Sequence, residues 1–325
     1  MSRPPGPSRS LSPSVRASVS GGVVPGLGDA PAFTLTTPPR MSLPVLIAVP
    51  HAGRAYPAAV TARMRDPVLA PLRLEDRHVD RLGVAIARET GAALLVAHAP
   101  RAMLDLNRAD DDIDWDMVEG GRPHGTLPSG PGQYGNARAR SGLGLVPRRI
   151  PGSGEIWRGR LSHGDLVERI DNIHRAYHAA LSGALQRIRD EWGAALLIDL
   201  HSMPPLRPAE GQSCAPVLVL GDRFGASCHN ALTGRALAHL DRRGVSAAQN
   251  RPYSGGYVLD RHGMPGTGIH AMQIEVCRAT YLDRRMAEPG PGLPAMAAVL
   301  SGLTRELGAE AALLGGQDNQ RQAAE

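Results

Sequence analysis

The sequence predicts an α/β fold: a mixed, mostly parallel sheet with helices on both faces. Three observations carry this. Short apolar runs alternate with helical patterns along the 325 residues, the order that builds βαβ units. The apolar runs are continuous rather than alternating, as in strands buried on both faces. Several of them end in polar residues capable of chemistry, and open α/β sheets bind their ligands beyond the carboxyl ends of strands.

Residues 1–40 are rich in Pro, Ser and Gly and lack periodicity, so disorder is expected there. Their segment GGVVPGLG is too broken by Gly and Pro to be the apolar region of a secretory signal. Met41 opens directly onto the first strand, VLIAVP, which makes residues 1–40 dispensable on this reading and Met41 an alternative start. The stretch LEDRHVDRLGVAIARETG carries Val79, Leu82, Val84 and Ile86, acids in its first turn and a glycine after it, and reads as a helix. ALLVAHAPRAMLDLNR is a strand region bracketed near its end by Arg101 and Arg108. The segment from Asp110 to Ile156 is a long loop rich in Gly, Pro, Arg and Asp, and loops of such length are commonly functional.

Further along, LSHGDLVERIDNIHRAYHAALSGALQRIRDEWG is a long amphipathic helix, with Leu166, Ile170, Ile173, Tyr177 and Leu181 on one side. ALLIDLHS and PVLVLGD are strands, NALTGRALAHLDRRG is a helix, GIHAMQIEVCR is a strand, and a closing helix begins at GLPAMAAV. Residues 41–314 are therefore expected to form a single α/β domain, followed by a flexible tail over 315–325.

Composition excludes several functions. No run of about 18 apolar residues is present, so no membrane span is expected. The net charge is +5, yet all 36 residues counted as Lys plus Arg are arginine, spread along the chain without a basic tract. With few aromatics to stack bases, nucleic acid is not an expected partner. The three cysteines are odd in number and form no C-x-x-C pair, which points to the reducing cytoplasm rather than to disulfides.

The chemistry concentrates at strand ends: His51, Asn107-Arg108, His201 and Glu275. Two histidines at equivalent strand ends suggest a metal, since neutral imidazole is a common ligand of zinc. A third ligand is expected from an acid at the start of the following helix, Asp76 first, with Glu75 and Asp80 as rivals. Helix-dipole stabilisation would explain the same acids without a metal. Asp199 shares a strand face with His201 and could orient its imidazole or serve a buried ion pair. Glu275 faces away from the aliphatic set Met272, Ile274 and Val276, as a general base beside a metal would, although an ion pair with Arg278 is the simpler alternative. Arg101, Arg108 and Asn107 could hold substrate carboxylates, one arginine polarising the reacting carbonyl. His174 and His178 share a helix face and are read as structural or site-lining, with His178 assigned to substrate binding.

The segments VPHAGRAYP, EDRHVDRL, PRAMLDLNR, HRAYHAAL, LLIDLHSMP, NRPYSGGY and GIHAMQIEVCRATYLD run in order from about Val45 to Asp283, and in combination they resemble the N-formylglutamate amidohydrolase family. The resemblance implies a zinc-exopeptidase-like (phosphorylase/hydrolase-like) fold, distantly similar to metallocarboxypeptidases. In those enzymes an Asp-x-Asn-Arg segment binds the substrate carboxylate, matching Asp105 to Arg108. A strand-end His-Ser carries a zinc histidine, matching His201-Ser202, and a late-strand glutamate is the base, matching Glu275. The zinc glutamate expected three residues after the first histidine is replaced by Arg54, so the carboxylate ligand must come from elsewhere, Asp76 being the natural donor. The implied ligands are His51, Asp76 and His201 on Zn2+ or another divalent metal. The implied catalytic residues are Glu275 and Arg101, acting on a small N-acyl amino acid such as N-formylglutamate. Glu275 would take a proton from a metal-acidified water and return it to the leaving amine. Alternatives are an amidase for another N-acyl amino acid or small peptide, and a non-catalytic anion-binding relative.

Overall fold

The computed structural model describes residues 16–123, 135–208 and 214–322. Eight strands form one mixed sheet: β1 (Ala17–Gly21), β2 (Phe33–Thr37), β3 (Val45–Val49), β4 (Ala93–Ala97), β7 (Ala195–Met203), β8 (Leu218–Gly221), β9 (Ala247–Gln249) and β10 (Ile269–Cys277). Their order is β1-β2-β4-β3-β7-β10-β8-β9. The central strands β4, β3, β7 and β10 run parallel, and β8 with β9 is also a parallel pair. The pairs β1–β2, β2–β4 and β10–β8 are antiparallel. The expected mixed, mostly parallel sheet is therefore present.

Strand alternation sorts the apolar residues onto two faces. On one face Leu46, Leu95 and Leu197 pack with Tyr177, Leu181 and Leu185 of α6 (Ala176–Trp192). On the other, Ile47, Ile198 and Ile274 pack with three helices: α3 (Val79–Thr90), α7 (Asn230–Arg242) and α9 (Leu293–Gln322). A strand covered on both sides has no polar face, which is why its sequence is an unbroken apolar run. The short helices α1 (Ala58–Ala62) and α2 (Leu69–Leu74) add Val60, Ala70 and Leu74 to the α6 side. α5 (His163–Arg169) continues through a π-helical turn at Ile170–Arg175 into α6, so the predicted long helix is present with one irregular turn. α8 (Tyr257–His262) precedes β10.

Four expectations are corrected. First, residues 1–40 are not uniformly disordered. β1 and β2 lie in this segment, β2 pairs with β4, and Phe33 and Leu35 are buried. The physical reason is the alternation of FTLTT, with Phe33 and Leu35 inward and threonines between them. Residues 1–15 lie outside the described residues. Second, the flexible tail expected over 315–325 begins too early. α9 continues to Gln322, since nothing in GGQDNQRQ is strong enough to stop a helix already docked on the sheet. Third, residues 100–108 are not strand. β4 ends at Ala97, and turn hydrogen bonds from Met103 N to Pro100 O and from Arg108 N to Asp105 O replace the ladder. Fourth, the segment 110–156 is partly structured: a 3-10 turn at Trp115–Met117, α4 (Gly135–Arg140) and a small hairpin of β5 (Arg149–Ile150) and β6 (Gly154–Glu155). Residues 124–134 of it lie outside the described residues.

Candidate metal centre and cleft

Parallel pairing brings the carboxyl ends of β3, β7 and β10 to one side of the sheet. His51 follows β3 at a bend, His201 lies near the end of β7, and Glu275 stands opposite His201 in the β7–β10 register. Gly53 lets the His51 loop press against the turn after β4, because a Cβ there would overlap the Ala99 carbonyl oxygen.

Asp76 arrives from the segment between α2 and α3, and its N–H donates to the His51 carbonyl at 2.9 Å. It does not sit in the first turn of the helix as expected. His78 adopts a left-handed conformation, φ 56°, and α3 starts only at Val79, which frees Asp76 from the helix axis. The rival acids point elsewhere. Glu75 pairs with Arg77 at 2.9 Å, and Asp80 pairs with Arg54 at 2.9 Å. Arg54 therefore holds a neighbouring acid, while Asp76 enters the site.

His51, Asp76 and His201 are all buried, and one ligand atom from each lies within 4.8 Å of the others. Two further carboxylates orient the rings. His51 Nε2 donates to Asp105 Oδ1 at 2.7 Å, and His201 Nε2 donates to Asp199 Oδ2 at 2.8 Å. Ionised carboxylates only accept, so each Nε2 carries a proton and each Nδ1 turns inward. They face Asp76 Oδ2, at 3.5 Å from His51 and 3.1 Å from His201. His51 Nδ1 is buried with no hydrogen-bond partner. Lone pairs turned on a carboxylate oxygen repel unless a cation or proton lies between them. Two imidazoles and one carboxylate with Nε2 anchored outward fit a divalent cation, zinc included. Asp199, left open in the sequence, is thus a ring-orienting group.

The remaining partners set the electrostatics. Asp76 Oδ1 accepts from Ser202 Oγ and from the Arg278 guanidinium, both at 3.2 Å. Burial alone would raise the Asp76 carboxyl, but the neighbouring His201 and His51 imidazoles hold it well below the usual range. Burial opposes charge on His201, and Asp199 and Asp76 outweigh it, raising the imidazole well above its ordinary value. Asp105 accepts from Arg101 Nε at 3.0 Å as well as from His51. Despite its burial, Arg101 and His51 hold it well below the carboxylate range. Burial is the main cause raising Glu275 to about 7, with His201 opposing and Asp76 adding to the rise.

His51, Asp76, His201, Ser202, Glu275 and Arg278 line a cleft of about 400 Å³ that also contains Arg101, Asn107 and Arg108. Of the residues anticipated as site members, one is displaced. His178 is buried beneath the cleft floor, where its Nε2 donates to the Leu106 carbonyl at 3.0 Å and its Nδ1 accepts from His262 Nε2 at 2.9 Å. It supports the Asp105–Arg108 loop from behind, as does His174, which donates to the Arg108 carbonyl at 2.8 Å. Arg108 itself donates to the Leu143 and Asn107 carbonyls and forms no ion pair with Asp110, Asp111 or Asp112. Sequence reasoning missed the ring-orienting role of Asp105, the Arg278–Asp76 pair, and the cleft arginines Arg73, Arg138 and Arg223. The arginine-rich lining makes the cleft cationic.

The fold and the site together define a class: an α/β enzyme of the hydrolytic kind, with a buried His-Asp-His cluster facing a carboxylate across a cationic cleft. Residues 43–282 match the model of the N-formylglutamate amidohydrolase family, and the chain belongs to that family. It is 32% identical over 248 residues to an N-formylglutamate deformylase of Pseudomonas aeruginosa, spanning 76% of this chain and 85% of the relative. A second N-formylglutamate deformylase, from Pseudomonas putida, is 31% identical over 245 residues, 74% of this chain and 82% of that one. The solved structure of an N-formylglutamate amidohydrolase from Ralstonia eutropha JMP134 superposes with a TM-score of 0.74 at 32% identity, covering 86% of this chain and 98% of that one. A gene product of Agrobacterium tumefaciens shares the fold, with a TM-score of 0.60 at 16% identity.

Proposed function

We propose that this protein hydrolyses the N-formyl amide of an acidic amino acid such as N-formylglutamate, releasing formate and the free amino acid. The observation that carries the reading is the convergence of His51 Nδ1, His201 Nδ1 and Asp76 Oδ2 beside Glu275 in a cationic cleft. Membership of the family and the names of its relatives support the substrate.

His51, Asp76 and His201 would hold a divalent metal, zinc first among them. Such an ion, when bound, supplies Lewis acidity and a water whose pKa falls toward about 7. Glu275 accepts the proton of the attacking water and passes it to the departing amine nitrogen. Arg108, with no carboxylate in contact, offers its guanidinium to a substrate carboxylate, and Asn107 borders it. Arg101 spends Nε and Nη2 on Asp105, leaving Nη1 for the reacting carbonyl. Asp105 and Asp199 keep the two imidazoles in one tautomer and one orientation.

The deciding experiment is turnover of N-formyl-L-glutamate by metal-loaded protein, set beside N-acetyl-L-glutamate and the N-formyl derivatives of neutral amino acids. Preference for the formylated acidic substrate is expected. Equal rates on neutral substrates would remove the cleft arginines from recognition and favour a general N-acyl amidase.

A further inference from the structure

The hydrolysis proposed above gives no part to Gln273, yet this residue flanks Glu275 on the same face of β10. Gln273 is 4% exposed, and Asn107 and Glu275 are 8% exposed. Amide oxygen and nitrogen are told apart by their partners, and here the chain of partners begins at a backbone N–H, which can only donate. Val258 N, in the first turn of α8, donates to Asn107 Oδ1 at 3.0 Å. That turns Asn107 Nδ2 toward Gln273, where it donates to Oε1 at 3.4 Å. Gln273 must then present Nε2 to Glu275, and it donates to Oε1 at 2.9 Å. One backbone group thus sets the direction of three successive hydrogen bonds. Gly256 permits the first of them, since a Cβ at that position would stand 2.6 Å from Asn107 Oδ1.

We propose that Gln273 is the positioning residue of Glu275. Its N–H occupies Glu275 Oε1 and leaves Oε2 as the oxygen that takes the proton from water. The inference rests on the reading of Glu275 as general base. The terminal torsion of a glutamate is broad and nearly two-fold, so an unanchored carboxylate samples orientations in which neither oxygen meets the water well. The Gln273 amide removes that freedom. Asn107 becomes a strut between α8 and β10, with one N–H left for a ligand.

The test is steady-state hydrolysis of N-formyl-L-glutamate by metal-loaded variants. Gln273→Met fills the same space without the amide. It is expected to lower kcat about 10–100-fold, the usual cost of removing a group that orients a reacting one, while KM moves less than about threefold. Metal content and melting temperature are expected to match wild type. Gln273→Asn keeps an amide but withdraws it by one methylene, and is expected to lose kcat in the same way. If both variants keep kcat within about twofold of wild type while Glu275→Gln is inactive, Gln273 has no such role and the base assignment stands. A loss confined to KM, or one that accompanies loss of metal, overturns the proposal equally. An active Glu275→Gln protein would instead remove the base itself.

Discussion

Asp105 accepts the Nε2 proton of His51 at 2.7 Å and, through its other oxygen, the Nε proton of Arg101 at 3.0 Å. A residue expected only to accompany a substrate-binding motif therefore holds the ring that faces Asp76. Asp105→Ala is expected to weaken metal affinity about 10–100-fold, read by competition with a chromophoric chelator. Asp105→Asn, which keeps an acceptor oxygen, should weaken it less. Unchanged affinity in Asp105→Ala would leave the residue a purely structural partner of Arg101.

Metal content is the most direct check on the cluster. Wild-type protein should bind one divalent ion per chain, and His201→Ala and Asp76→Ala should each lose it, since neither remaining pair completes the three-ligand set of a catalytic site. Atomic absorption after dialysis measures this. Full metal retention in Asp76→Ala would return Glu75 and Asp80 to consideration.

Glu275→Gln keeps the shape of the side chain and its bond from Gln273. It is expected to retain metal and to lose at least about 10²–10⁴-fold in kcat, the usual contribution of a general base. Rapid-quench assay of formate release distinguishes a slow enzyme from a dead one.

Deletion of residues 1–40 removes β1 and β2 and uncovers one side of β4. Phe33 and Leu35 each contribute about 1.5–3 kcal/mol by burial, so the chain from Met41 onward should melt well below the full chain in calorimetry. A deletion with an unchanged melting temperature would contradict the packing of β2.

His178 and His262 form a buried, hydrogen-bonded pair. Burial first, with Arg261 and His174 adding, lowers His262 from 6.5 to about 3. The unfolded chain therefore binds more protons than the folded one below pH 6.5. The stability this neutral imidazole contributes is complete above about 6.5 and is lost as pH falls toward about 3, with a slope on the order of 1.4 kcal/mol per pH unit. Urea unfolding at pH 7 and pH 5 should show a smaller drop for His262→Phe than for wild type.

The sequence made the central sheet and the residues of the cluster legible because both leave strong local signals. β3, β7 and β10 are apolar runs, and His51, His201 and Glu275 interrupt or follow them with polar groups that a core does not need. Other features depend on distant partners. Asp105 meets a histidine 54 residues away, and no spacing rule separates that from contact with a substrate. His174 and His178 share a helix face, but the backbone of the Asp105–Arg108 loop lies between that face and the cleft. β2 did leave a signal, the alternation in FTLTT, which the surrounding proline and glycine obscured. Asp76 fits the same pattern: its acidic segment was recognisable, whereas its release from α3 depends on the backbone conformation of His78.

The two outermost strands of the sheet, β1 and β9, are only five and three residues long. An edge strand presents unpaired N–H and C=O groups to any extended chain that approaches, and long apolar edges invite aggregation. Here the long apolar strands β7 and β10 are enclosed, and the side of β4 away from β3 is covered by β2. The serines of β1 alternate along the margin. The segment ahead of the main apolar runs thus moves the open edge of the sheet from the apolar strand β4 to the serine-bearing strand β1.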